Sequence, residues 1–132
     1  MAQVTGILES SLYVDDLERA TRFFVELFGF QQMVGDARIR ALRVKEGQVL
    51  LLFKRGASLS AGAFPTHDGS GPLHLAFSIP AAEFGAWEER LKTRGIAVEH
   101  VMQWPLGGKS LYFRDPDQHL LELVTPGCWE NY

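Results

Sequence analysis

Three polar side chains interrupt runs that are otherwise largely apolar: Glu9 in ILESSLYV, His74 in LHLAFSI and Glu122 in HLLELV. Two carboxylates and an imidazole can hold a divalent cation or move a proton, and each alone can equally be a solvated strand residue. Strand alternation sets which side each one takes. From Ile7 to Val14, Glu9 shares a face with Ile7, Ser11 and Tyr13, and the more apolar face carries Leu8, Ser10, Leu12 and Val14. Leu75, Phe77 and Ile79 lie opposite His74 in the same way, as do Leu121 and Leu123 opposite Glu122. Helices are expected over the apolar faces, leaving the polar residues in a concave interior.

The elements that must position these residues occur in one order twice. Asp15 or Asp16 caps a helix whose apolar residues recur at Leu17, Ala20, Phe23, Phe24, Leu27 and Phe28, with Gly29 as its stop. Strands follow at Phe30 to Val34, Arg38 to Val44 and Gln48 to Lys54, the last two joined by a Glu46-Gly47 turn. The stretch GASLSAGAFPTHDGSG, Gly56 to Gly71, reads as a linker or lid. Beyond it come a strand from Leu73 to Ile79, a helix opened by Pro80 and closed by Gly95, and strands at Ile96 to Met102, Ser110 to Arg114 and His119 to Val124. This is βαβββ repeated, an α+β chain of two tandem modules, about 5–55 and about 72–126, in one domain spanning 1–132. Aligning the halves makes Glu9 equivalent to His74 and Leu52 equivalent to Glu122.

Composition narrows the function classes. With 132 residues and 46% hydrophobic content the chain supports one domain with a real core. A net charge of -3, drawn from 13 basic and 16 acidic residues without like-charge runs, argues against nucleic acid and membrane surfaces as partners. Neither a signal-like start nor a membrane-length apolar run occurs, so a soluble, cytoplasmic protein is expected. Cys128 has no partner for a disulfide and reads as inert.

The segments LYVDDLERATRFFVELFGF and LYFRDPDQHLLEL resemble the vicinal oxygen chelate superfamily, which includes glyoxalase I, fosfomycin-modifying enzymes, extradiol dioxygenases and metal-free bleomycin-binding proteins. The resemblance runs from about Ile7 to Thr125. It implies a cupped, eight-stranded mixed sheet with helices on the outer face, pairing as a homodimer. It also implies one divalent ion (Fe, Mn, Ni, Zn or Co) held by Glu9, His74 and Glu122, with two coordination sites left for substrate oxygens. Leu52 stands where glyoxalase I relatives carry a carboxylate, and Glu9 where extradiol dioxygenases carry histidine.

Ser11, Ser110 and Tyr112 match phosphonate-binding positions of the fosfomycin-modifying relatives, and Tyr13 shares the face of Ser11. Arg38 and Arg40 are expected to reach the cavity and hold a carboxylate, while Trp104 and Phe64 close over an apolar ligand. The loop HVMQWPLGGK offers Lys109 as its one fixed positive charge, so a doubly charged phosphonate would be poorly neutralised. The expected function is a glyoxalase-like metal enzyme acting on a small oxygenated substrate by isomerase, lyase or related chemistry, with Glu122 or Glu9 as general base. The alternative is a bleomycin-resistance-type binder of a hydrophobic small molecule; extradiol dioxygenase and fosfomycin transferase activities rank lower. His67, His100 and His119 are expected at the surface. Gln118, in a position usually held by glycine, would cost roughly 1 kcal/mol if its backbone is left-handed.

Overall fold

Asp16, rather than Asp15, starts the first helix. In a computed structural model that describes residues 1–60 and 62–132, Asp16 has extended backbone and its Oδ1 accepts the N–H of Arg19 at 3.0 Å, opening α1 (Leu17–Phe28). Asp15 pairs with Arg55 instead. Gly29 ends the helix with φ 75, a left-handed conformation that glycine adopts without a Cβ penalty. Leu17, Ala20, Phe24 and Leu27 form its buried stripe, and Phe24, Phe28 and Phe30 stack in succession.

The chain divides into two units, Met1–Ser70 and Gly71–Tyr132. Strands β1 (Glu9–Val14), β2 (Gln31–Gly35), β3 (Ile39–Lys45) and β4 (Gln48–Lys54) form the sheet of the first unit in the order β1-β4-β3-β2, with β1 parallel to β4. The second unit repeats the plan with β5 (His74–Ser78), α2 (Phe84–Thr93), β6 (His100–Gln103), β7 (Lys109–Arg114) and β8 (Leu120–Val124), ordered β5-β8-β7-β6. Both sheets are mixed, and the α+β class with tandem modules holds.

Three local differences from the sequence reading have physical causes. Pro80 opens a 3-10 turn at Ala81–Glu83, and α2 begins only at Phe84. The strand expected from Ile96 shrinks to His100–Gln103, because the N–H of Ile96 bonds back to the Leu91 carbonyl at 2.9 Å in the helix exit. The segment from Gly56 to Gly71, of which Ala61 lies outside the described residues, contains a 3-10 turn at Ala57–Ser60 with Ser58 buried. Its Asp68 accepts the Gly56 N–H at 2.9 Å.

Register corrects one equivalence between the halves. Glu9 pairs with Val49 and His74 with Leu120, so two residues on, Ser11 pairs with Leu51 and Ala76 with Glu122. The first-unit counterpart of Glu122 is therefore Leu51, not Leu52. Leu52 pairs with Leu12 on the opposite face, with no exposed surface, alongside Leu42 and Leu50. In the second unit Leu111, Phe113, Leu121 and Leu123 fill the equivalent apolar face.

His119 is the second correction. It does sit opposite Glu122, but that side is the core, and the ring is completely buried. Its Nδ1–H donates to Asp115 Oδ2 at 2.7 Å, while Asp115 Oδ1 accepts the N–H groups of Asp117 and His119. These bonds hold the β7–β8 turn, where Gln118 has φ 67, as its place in a glycine-preferring position implies.

Candidate functional site

Glu122 is the centre of a polar cluster in the second unit. It lies on β8 between Ala76 of β5 and Tyr112 of β7, facing away from the apolar core. Its carboxylate is nearly buried, with 8% side-chain exposure, whereas the neighbouring His74 side chain is 48% exposed. One group is thus rooted in protein and the other stands open to an incoming species.

The hydrogen bonds fix the form of the imidazole. His74 Nδ1 lies 2.9 Å from the Leu120 carbonyl oxygen. A carbonyl can only accept, so Nδ1 carries a proton and Nε2 is the ring nitrogen left to face the site. That Nε2 points at Glu122 Oε1, 3.1 Å away. An imidazole nitrogen and a carboxylate oxygen at that distance share either a proton or a metal ion. Ligating histidines hold a backbone carbonyl or carboxylate through the other ring nitrogen in this same way. An imidazole and a carboxylate are two of the donors that a divalent ion of the borderline kind takes. Among the described residues, no three His, Cys, Asp or Glu side chains form one cluster that could hold a metal ion.

The far oxygen of Glu122 is also engaged. Ser110, fully buried, donates its hydroxyl to Oε2, and Trp104 Nε1–H donates to Ser110 Oγ at 2.8 Å. Burial holds the Tyr112 hydroxyl pKa above its ordinary value, and the Glu122 charge and a hydrogen bond to that carboxylate push it further the same way. A cavity of about 240 Å³ opens beside Tyr112, lined also by Glu99, His100 and Leu120. Sequence reasoning does not find Glu99 and His100 as lining residues. The signal for His100 is the register of the β6–β7 hairpin, which sets it directly opposite Tyr112.

The loop carrying Trp104 is firmly mounted. Trp104 N–H bonds the Gly108 carbonyl at 2.8 Å, and Gly108 N–H bonds the Gly127 carbonyl at 3.2 Å. The two glycine backbones approach so closely that a Cβ on Gly108 would stand 2.6 Å from the Gly127 carbonyl carbon.

The first unit carries Glu9, Ser11 and Tyr13 on the face opposite Leu12 and Leu52. Glu9 is exposed. Tyr13 stacks on Phe53 and shares a hydrogen bond of 2.8 Å with His67 Nδ1, and Gly69 lies against its ring, where a Cβ would come within 2.5 Å. Burial and the Asp68 charge raise the pKa of the Tyr13 phenol. His67 is exposed as expected, yet it is engaged with Tyr13 and Phe53.

Register separates the two arginines. Arg38, just ahead of β3, lays its guanidinium over Phe53 at 5.7 Å and donates to Ser58 Oγ at 3.3 Å. Arg40 pairs with Leu52 on the helix-covered face and reaches Glu18 of α1 at 3.4 Å. There it lines a cavity of about 490 Å³ with Arg22, Phe30 and Gln32, away from the Glu9 face. Its expected place beside the polar residues is thus not where the chain puts it. Phe64 is 70% exposed.

Comparison with known proteins places this geometry. The sequence model of the glyoxalase/bleomycin resistance protein/dioxygenase superfamily matches residues 4–123. The fosfomycin resistance protein FosX of Listeria innocua is 29% identical over 126 residues, covering 91% of this chain and 89% of that protein. A crystal structure of lactoylglutathione lyase from Agrobacterium tumefaciens superposes with TM-score 0.91 at 30% identity, covering 98% of this chain and 99% of that one. A glutamate-to-glutamine mutant of FosX from Listeria monocytogenes, complexed with Mn(II) and 1S,2S-dihydroxypropylphosphonic acid, superposes with TM-score 0.70 at 25% identity, covering 92% and 90%.

Proposed function

Because the chain belongs to the glyoxalase/bleomycin resistance protein/dioxygenase superfamily, we propose that it is a divalent-metal enzyme that chelates a small oxygenated substrate and carries out isomerase, lyase or related chemistry. The observation that carries this reading is His74 Nε2 set 3.1 Å from Glu122 Oε1, with the other imidazole nitrogen held by the Leu120 carbonyl. His74 and Glu122 are the two donors that meet within one unit. A bound divalent ion polarises an adjacent carbonyl or hydroxyl oxygen and stabilises negative charge developing beside it.

The chain's own groups divide the remaining work. Glu122, fixed by Ser110, is the anchored carboxylate. Tyr112 and the cavity beside it receive the substrate's apolar portion. The working form is a homodimer, since β1, β2, β5 and β6 are all edge strands in their own sheets; light scattering reads this directly.

Metal content of untagged protein tests the reading. Wild type should carry about one divalent ion per chain, lost in the His74→Ala, Glu122→Ala double variant. Loss of the ion in Glu9→Gln would add that residue to the donor set. Equal, negligible metal in wild type and double variant would instead favour the binder. Likeness to FosX supports phosphonate chemistry as a second reading. Mn(II)-dependent turnover of fosfomycin, abolished by Glu122→Gln, would replace the first reading with it.

A further inference from the structure

Ser110 has one hydroxyl proton and two lone pairs, and its burial leaves it only protein partners. Trp104 Nε1–H is a donor that cannot accept, and at 2.8 Å it occupies a lone pair of Ser110 Oγ. The Ser110 proton must then point elsewhere, and of its two neighbours, the Tyr112 hydroxyl and Glu122 Oε2, the carboxylate is the charged acceptor it bonds. Oε1 is left as the oxygen facing His74. Resting on the metal reading above, we propose that Trp104 is a positioning residue for Glu122, acting through Ser110 to keep Oε2 occupied and Oε1 available to the ion.

An indole suits this role because the direction of its hydrogen bond is not reversible. A hydroxyl or amide at residue 104 could accept from Ser110 and let its proton swing away from Glu122. The mount is suitably stiff, since the loop from Trp104 to Gly108 is closed on itself and fastened to Gly127. The consequence for substrate is direct. Neither the Trp104 N–H nor the Ser110 O–H remains to bind an anionic group, so this corner serves the carboxylate rather than a phosphonate.

Mn(II) titration of metal-free chain by calorimetry tests the relay in wild type, Trp104→Phe, Ser110→Ala and the double variant, with thermal unfolding as the check on folding. Loss of an outer hydrogen-bond partner costs about 10–100-fold in metal affinity. Trp104→Phe should weaken Mn(II) binding about 10-fold and Ser110→Ala at least as much, and the double variant should bind no more weakly than Ser110→Ala. Additive losses, or unchanged affinity in Trp104→Phe, overturn the relay while wild-type binding keeps the metal reading standing. No Mn(II) binding by wild type overturns both. Should Trp104→Phe fail to fold, the indole N–H resonance decides: Zn(II) should shift it in wild type and not in Ser110→Ala, and equal shifts in both refute the proposal.

Discussion

Replacing Gly127 with alanine drives a methyl group into backbone. The new Cβ would lie 2.5 Å from Gly108 N and 2.7 Å from the Leu106 carbonyl oxygen, at a residue whose φ is +102. Left-handed backbone costs a residue with a Cβ about 1–2 kcal/mol, and loss of the Gly108 to Gly127 hydrogen bond costs about 1 kcal/mol more. The second unit should therefore lose about 2–3 kcal/mol, a fall in Tm of roughly 10–20 °C for a cooperative unit of this size. Gly85, in α2, supplies the opposite case, with no heavy atom within 4 Å of its added Cβ. Gly85→Ala should gain about 0.5–1 kcal/mol from reduced unfolded-state entropy. Both residues belong to the second unit, so calorimetric unfolding at one pH compares them within one transition. Gly127→Ala as stable as wild type would refute the close-approach argument, and a destabilised Gly85→Ala would remove its control.

Asp16→Ala should cost about 1 kcal/mol in urea unfolding by removing the α1 cap, and more than Asp15→Ala, which leaves that cap intact; equal losses would contradict the assignment. Gln118→Gly should gain about 0.5–1 kcal/mol by relieving a φ of 67 at the β7–β8 turn, read as a higher urea midpoint at unchanged slope. The Arg38 and Ile39 N–H groups hold the Asp36 carboxyl below its ordinary pKa of 3.8. Because the folded pKa is the lower one, that stabilisation is present above the unfolded value and disappears as pH falls through the folded one. Asp36→Asn should therefore flatten the acid limb of stability against pH, and an unchanged slope below pH 4 would count against it.

The repeat and nearly all strands are legible in the sequence because alternation and turn residues are local properties. The strand read from Gln48 to Lys54 keeps both its ends, and Gly29 and Gly95 both fall at left-handed positions beyond their helices. Two features escape such reading for a shared reason. Which residue of β4 corresponds to Glu122 depends on pairing with β1, and a one-residue slip in that register moves a side chain to the other face. Leu51 and Leu52 are chemically identical, so composition offers no correction. The side taken by Arg40 depends on register in the same way. A polar residue at a turn is usually solvated, which makes His119 read as a surface residue, and only Asp115, four residues earlier, shows how the core accommodates it. Trp104 reads from the sequence as a loop aromatic, but its bond to Ser110 depends on where that loop returns, which periodicity does not encode.

The proton on His74 Nδ1 is held by a main-chain oxygen, that of Leu120, and not by a side chain. No point substitution can delete that acceptor, and any strand that pairs β5 with β8 in the same register restores it. The tautomer is thus a product of strand alignment, established in the same event that forms the sheet. Side chains around the imidazole can be exchanged for new chemistry while Nε2 keeps its direction, which gives this scaffold one fixed reference among otherwise replaceable parts.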